Sequence, residues 1–149
     1  MFFLIVSCNK KEVVKNGENF WDEIRIENNN KEIIIYNETD TASFRKANYE
    51  KIKLENGSTN YRLKKIEKST FKLSKSERDT IHKIVREIIT NPVFTDKSAT
   101  CYAGNVLISL KNSHTTLTCQ YNSVGTWSEV SKNTKKLYNL LKSKIEISK

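Results

Sequence analysis

Glycine and histidine are scarce in this chain, and their scarcity excludes several kinds of site. The four glycines are isolated from one another, so the sequence contains no Gly-rich loop that could cradle the phosphates of a nucleotide. The two histidines, His82 and His114, lie far apart in sequence, and neither has a partner at metal-ligand spacing. No pair of carboxylates has the spacing of a glycosidase. We therefore predict no catalytic residue, metal site or cofactor from any motif.

Cysteine and long apolar runs are also scarce. The three cysteines, Cys8, Cys101 and Cys119, form no CxxC pair, so the ligand spacing of zinc sites and of thioredoxin-like redox motifs is missing. No apolar run approaches the ~20 residues of a membrane-spanning helix. One catalytic arrangement stays open, a Cys101 nucleophile with His82 or His114 as its base.

Arginine is rare although the chain is strongly basic. Lysine and arginine together number 26 against 17 acidic residues, which gives a net charge of +9. Only five of the 26 are arginine, whereas base readout and bidentate phosphate recognition favour the guanidinium group. The lysines are spread along the whole chain. We therefore interpret the charge as a solvated surface and expect no nucleic-acid binding.

The length of 149 residues suits a single domain with its own core. The hydrophobicity of residues 9–19 is low, which is typical of a flexible segment. We therefore expect residues 8–19 to be a tether and residues 20–149 to be one folded domain.

A first β-hairpin is predicted from residues 20–26 and 32–36, which flank an Asn-rich turn at residues 28–31. Both segments are rich in isoleucine and aromatic residues. The polar stretch of residues 37–48 that follows predicts a loop.

Asn56-Gly57 predicts a second hairpin, because this dipeptide suits turn positions that need positive φ. We expect residues 49–54 and 59–66 to be its strands. The pairing that the turn indicates places Ile52 opposite Tyr61.

Residues 101–127 hold the clearest hairpin pattern in the chain. Its apolar residues alternate along both predicted strands, as Val106, Ile108 and Leu110 on one and Leu117, Cys119 and Tyr121 on the other. With residues 111–114 as the turn, Leu110 pairs with Thr115. Both apolar sets then lie on one face, and Cys119 faces Val106.

Two amphipathic helices complete the pattern. The first begins with a capping box at Ser74 and Glu77 and ends at Asn91-Pro92. Its apolar residues recur at helical spacing, at Ile81, Ile84, Val85, Ile88 and Ile89. The second runs from about Ser128 to Ile145. The order ββ-ββ-α-ββ-α predicts an α+β domain, with an antiparallel sheet of about six strands covered on one face by two helices.

The first eight residues are apolar up to Ser7-Cys8, and the chain turns polar at Asn9. The triplet Ile5-Val6-Ser7 before Cys8 resembles the lipobox of bacterial lipoproteins, in which an apolar, a variable and a small residue precede the lipid-modified cysteine. The alternative is that residues 2–6 form an ordinary buried strand and Cys8 is an ordinary thiol.

The resemblance implies that residues 1–7 belong to a signal peptide and that Cys8 carries the lipid at the mature N-terminus. Asn9 is not the aspartate associated with retention in the inner membrane, so the resemblance implies an outer-membrane location. The protein would then contact the membrane through its lipid.

An exported domain lies outside the reducing cytosol, and the lipid would occupy Cys8. Cys101 and Cys119 then remain as an even pair, and we expect them to form a disulfide. The segment of residues 100–104 must fold back onto the hairpin to bring the two close enough. Two free core cysteines are the alternative.

The leading functional hypothesis is a lipid-anchored envelope domain without catalytic activity, of the type that inhibits an enzyme or confers immunity to a toxin by binding another protein. The alternative is an envelope hydrolase or transferase that uses Cys101, His82 or His114. A concave pocket with a catalytic pair within hydrogen-bond reach would favour the enzyme, and an exposed apolar patch would favour the binding domain.

Overall fold

The computed structural model describes residues 20–93, 104–122, 124 and 126–147. These residues form an α+β domain with a six-stranded antiparallel sheet and two α-helices, which confirms the predicted fold class. The strands are β1 (Glu23–Asn28), β2 (Lys31–Tyr36), β3 (Thr41–Lys53), β4 (Thr59–Lys72), β5 (Val106–Asn112) and β6 (Thr115–Tyr121), and the helices are α1 (Lys75–Thr90) and α2 (Lys132–Lys142).

The strands lie in the order β4-β3-β2-β1-β5-β6, so β1 and β2 are central and β4 and β6 are the edges. Side chains alternate between the two faces of a sheet. On one face the inner strands bury Ile24 and Ile26 of β1, Ile33 and Ile35 of β2, and Val106, Ile108 and Leu110 of β5. We call this side the core face and the other side the open face.

The helices contribute their apolar stripes to the same core. Helix α1 contacts β5, β6 and α2. The buried helix side chains that join the cluster are Ile81, Val85 and Ile88 of α1 and Leu137 and Leu141 of α2. Burying one such aliphatic side chain stabilises the fold by about 1.5–3 kcal/mol, so this cluster is the main source of stability.

The capping box of α1 is present. The Ser74 hydroxyl accepts a hydrogen bond from the backbone N–H of Glu77 at 3.2 Å, and the Glu77 carboxylate accepts one from the Ser74 N–H at 2.8 Å. Asn91 caps the other end. The predicted start and end of α1 are therefore confirmed.

Helix α2 begins later than the predicted start at Ser128, so that boundary was wrong. Residues 127–129 form a short 3₁₀ turn, and Ser131 has extended backbone angles as the N-cap of α2. The Ser131 hydroxyl accepts from the N–H of Thr134 at 3.0 Å. This second Ser-initiated cap starts the helix because it satisfies N–H groups that have no partner in the first turn.

The first predicted hairpin is confirmed as β1 and β2, joined at Asn29-Asn30 with a positive φ at Asn29. The loop predicted over residues 37–48 was wrong, because β3 already begins at Thr41. Residues 43–46 pair with β2, and the whole of β3 pairs with β4. Pairing on both sides satisfies the backbone of this polar segment, so it forms a strand despite its weak apolar pattern.

The β5–β6 hairpin has the predicted apolar strands but a tighter turn. Asn112 pairs with Thr115 across Ser113-His114, and Ser113 has a positive φ. The predicted pairing of Leu110 with Thr115 was therefore wrong by two residues, and Cys119 faces Ile108 instead of Val106. A two-residue shift leaves every side chain on its predicted face, because side chains alternate with a period of two.

The β3–β4 hairpin departs from its prediction by one residue. Tyr61 lies opposite Lys51 and not opposite Ile52. The cause is the turn, where the N–H of Gly57 donates to the Leu54 carbonyl and the N–H of Leu54 donates to the Ser58 carbonyl, both at 2.9 Å. This is a three-residue loop that ends in a glycine with positive φ, whereas the predicted pairing of Ile52 with Tyr61 requires a four-residue loop. The shorter loop moves Tyr61 to the other face.

Candidate functional site

The β3–β4 hairpin extends beyond the rest of the sheet. Strand β2 pairs with β3 only over residues 43–46, whereas β4 pairs with β3 along its whole length. The N–H of Ala47 donates to the Asn30 carbonyl at 2.8 Å, which is where the hairpin leaves the central sheet. We call residues 47–66 the arm.

A β-bulge brings the apolar residues of the arm onto one face. Tyr49 lies opposite Leu63 and Ala47 lies opposite Ile66, so Lys64 is the extra residue between the two pairs. Leu63 and Ile66 are three residues apart, and without the bulge they would point to opposite faces. The β3 residues that join the core cluster, Ala42 and Phe44, are at even positions. Ala47 and Tyr49 therefore belong to the open face, where Ala47 is buried and Tyr49 is exposed.

Four large side chains consequently form an exposed cluster on the open face of the arm. We call it the arm patch, and its members and exposed fractions are Tyr49 (55%), Tyr61 (66%), Leu63 (48%) and Ile66 (37%). Cross-strand pairs of this kind stabilise a hairpin by only about 0.2–1 kcal/mol each. A contiguous exposed apolar cluster on a folded domain is typical of an interaction site.

The outer edge of β4 is protected against the addition of another strand. Strand β4 is the last strand of the sheet, and its exposed side chains include Lys64, Lys65 and Lys68. Lysines and bulges are two of the devices that prevent edge-to-edge pairing, and β4 has both. A partner is therefore expected to contact the face of the arm and not its edge.

A cleft of about 530 Å³ lies between α1 and the β5–β6 turn. Its volume falls within the range of small-molecule sites. Both histidines line it, together with Arg86, Phe20 and Leu117. The structure thus brings together His82 and His114, which the sequence had left unconnected.

His82 lies on the inner wall of this cleft and is 5% exposed. Its ring stacks on Trp21 with centroids 5.5 Å apart and planes 11° apart. Burial and the nearby Arg86 cation lower the pKa of His82, and Asp79 opposes them. The stacked and buried ring of His82 therefore acts as a core side chain at the wall of the cleft.

Cys119 is the one predicted disulfide residue within the described ranges. It is buried on the core face, two residues before Tyr121. Burial, and then the hydrogen bond with Cys119, raise the pKa of Tyr121. Cys8 and Cys101 lie outside the described residues, so the lipid attachment, the disulfide and the Cys101 nucleophile stay predictions.

The described residues contain no group of three or more side chains that could hold a metal ion. Among the same residues no helix is long and apolar enough to cross a membrane. No family model matches the chain, and no curated protein or solved structure matches it either. The arm and the cleft are therefore the features from which a function has to be inferred.

Sequence reasoning missed the arm patch. The signal was present, because Tyr49, Tyr61, Leu63 and Ile66 are large apolar residues around a recognisable turn. The predicted register placed Tyr61 opposite Ile52, which divided these residues between the two faces. The bulge at Lys64 and the glycine at the end of the turn were both needed to assemble them.

Proposed function

We propose that this chain is a non-catalytic protein-binding domain of the bacterial cell envelope and that the open face of the arm is its binding surface. The observation that carries the proposal is the arm patch, which gathers four exposed apolar side chains on a part of the sheet that projects beyond β2. Large aromatic and aliphatic side chains of this kind are the usual anchors of protein interfaces.

The two helices support this assignment. In this proposal they cover the core face of the sheet as a pair and leave the open face to solvent. The contacts of α1 with β5, β6 and α2 agree with such an arrangement. The arm then stands outside the helical layer, where a partner can reach both of its strands.

The lipobox-like N-terminus supplies the location in this proposal. Cys8 carries the lipid, residues 9–19 are the tether, and Asn9 permits transfer to the outer membrane. A tethered domain with a projecting apolar surface suits a lipoprotein that inhibits an enzyme or confers immunity to a toxin. Labelled palmitate should be incorporated into the wild-type protein and not into Cys8→Ala. Equal labelling of both, or none of either, would contradict the anchor.

The cleft supports a second candidate function, a hydrolase or transferase site. It is favoured by the presence of both His82 and His114 on the walls of one cleft. It is weakened by the packing of His82, whose ring is stacked and buried as a core side chain. Turnover of an ester or phosphoester probe that His114→Ala abolishes would make this function the leading one.

Site-specific crosslinking tests the binding proposal directly. A photoreactive phenylalanine analogue is placed at Tyr61 of the full-length protein in the bacterium that carries the gene. A matched protein carries the analogue at Phe20, which is 57% exposed but lies at the cleft. We expect a discrete protein adduct from position 61 and not from position 20. The same adducts from both positions, or no adduct from position 61, would contradict the proposal.

A further inference from the structure

We infer that the arm takes a partner protein whose contact surface is acidic around an apolar centre, an inference that rests on the proposed function. The β3–β4 hairpin, residues 41–72, contains nine basic and three acidic residues and so carries +6 of the chain's net charge of +9. Lysines occur along the whole chain, but most of the net positive charge therefore lies on this hairpin.

Within the hairpin the charges are sorted by face. Residues that lie directly opposite each other in the ladder share a face, so the register assigns each charged position. Within β3 and β4, all charged residues of the open face are basic, namely Arg45, Lys51, Lys53, Lys68 and Lys72. The arm patch lies between them.

Both acidic residues of the two strands lie on the opposite face. Glu50 accepts hydrogen bonds from its cross-strand neighbour Arg62. Glu67 forms an ion pair with Lys65 at 3.4 Å. The acids of the two strands therefore pair with basic residues of their own face. Of the open-face cations near the base of the hairpin, Arg45 lies near Glu32 and Lys72 forms an ion pair with Asp40 at 3.1 Å. The excess positive charge beside the arm patch consequently comes mainly from Lys51 and Lys53.

This arrangement costs the isolated hairpin some stability. Arg45 and Lys68 lie directly opposite each other, and like charges in cross-strand pairs are destabilising. Glu32 of β2 lies 3.7 Å from Arg45 and offsets part of the repulsion at the base of the hairpin. Lys51 and Lys53 lie farther along the arm, and an acidic partner would relieve the repulsion between them. The positive electrostatic field of the arm would also increase the association rate of such a partner.

A protein surface fits the arm better than the other polyanions. A single-stranded nucleic acid binds by stacking its bases on aromatic rings, and half of the arm patch is the aliphatic pair Leu63 and Ile66. An apolar centre with a polar, charged rim is the usual composition of a protein interface. Anionic lipid and nucleic acid are therefore outcomes that the test must exclude.

The test measures binding of the purified full-length protein to three probes at about 50 mM and 150 mM salt. The probes are a random polypeptide of glutamate and tyrosine, a single-stranded oligothymidylate, and vesicles of phosphatidylcholine with phosphatidylglycerol. We expect saturable binding to the acidic polypeptide that weakens as salt rises. Tighter binding of the oligonucleotide or the vesicles would overturn the inference.

Charge reversal tests whether the acidic polypeptide binds to the open face of the arm. Lys51→Glu with Lys53→Glu should weaken binding of the acidic polypeptide by about tenfold. Lys135→Glu with Lys136→Glu changes the net charge equally at exposed sites on α2 and should have an effect of about twofold or less. Equal losses in both variants, or no loss in either, would overturn the acidic partner.

The two proposals fail in different ways. If the crosslink at position 61 is found but charge reversal on the arm has no effect, the binding surface stands and the acidic partner is wrong. If the acidic polypeptide binds through the lysines but position 61 gives no adduct in cells, the charge is real and the proposed function is wrong.

Discussion

The β5–β6 hairpin lies beside β1, and α1 contacts both of its strands, whereas the β3–β4 hairpin lies at the other end of the sheet. Strand β5 buries Val106, Ile108 and Leu110, while the only buried residue of the 14-residue β4 is Phe71. Both hairpins turn at residues with positive φ and both have apolar residues on one face. They differ in what covers that face.

The comparison separates two uses of the same local structure. The apolar face of β5–β6 contributes to the stability of the fold, because α1 contacts both strands and their buried side chains join the core cluster. The apolar face of the arm has no such cover from the described residues, so removing its side chains should cost binding and little stability.

Truncation of a buried side chain in the β5–β6 hairpin should have the largest effect. Ile108 is fully buried, and Ile108→Ala should lower the free energy of unfolding by about 2–5 kcal/mol through lost burial and a cavity. Tyr61→Ala on the arm should lower it by less than about 1 kcal/mol. Urea denaturation of both variants measures the difference. Similar losses would show that the arm is part of the core.

The predicted disulfide would further stabilise the covered hairpin. If Cys101 and Cys119 are bonded, the closed loop of roughly 18 residues contributes about 3 kcal/mol in the chain-entropy model. Intact mass should rise on reduction and alkylation, and Cys101→Ser with Cys119→Ser should melt well below wild type. No mass shift, or an unchanged melting temperature, would show that these cysteines are free.

Two glycines give a matched pair for the turns. Gly104 precedes β5 with a φ of +115°, and a Cβ there would lie 1.7 Å from Oδ1 of Asn29. Gly104→Ala should therefore destabilise by about 2 kcal/mol, mainly through backbone strain, because the close atoms belong to the Asn29 side chain, which can move aside. Gly57 has a φ of +79° but no atom within 4 Å of such a Cβ, so Gly57→Ala should cost about 1 kcal/mol from backbone strain alone. Equal costs at both sites would show that the backbone at Gly104 is no more strained by a side chain than the backbone at Gly57.

Lowering the pH should reduce the free energy of unfolding through protonation of His82. Burial and Arg86 lower the pKa of His82 in the fold, so the folded state favours the neutral ring. The resulting stability is complete above the unfolded pKa of about 6.5, falls as the pH drops below it, and levels off below the folded pKa. His82→Phe keeps a ring against Trp21 and should remove this part of the pH dependence. The same pH profile in both proteins would exclude His82 as the cause.

The exposed ion pair of the arm should have the smallest effect. Glu50 and Arg62 are partners across the arm, where solvent screens their attraction. Glu50→Gln should leave the free energy of unfolding unchanged within experimental error at physiological salt. A clear loss that disappears at high salt would show that charge pairing helps to hold the arm together.

The parts of the fold that were predictable from sequence are those with local signals. The capping box at Ser74 and Glu77 fixed the start of α1, and alternation identified the strands around residues 28–31 and 111–114. The start of α2 was predicted too early, because its N-cap at Ser131 was overlooked. The first half of β3 was missed because its order comes from pairing with β2 and β4, which a local pattern does not report.

The candidate site was less predictable because it depends on register and on distant contacts. A two-residue error at the β5–β6 turn left the faces intact, whereas a one-residue error at Gly57 exchanged them on the arm. The bulge at Lys64 has no sequence signature of its own. The meeting of His82 and His114 at one cleft depends on the packing of α1 against β5 and β6.

The affinity of the crosslinked partner for an arm-patch variant tests the central claim most directly. Tyr61→Ala with Leu63→Ala removes two exposed side chains of the arm patch, so the purified variant should bind that partner at least about tenfold more weakly than wild type. Its melting temperature should stay within a few degrees of wild type, because neither side chain belongs to the core. Unchanged affinity, or a loss of affinity that only follows a loss of folding, would contradict the account.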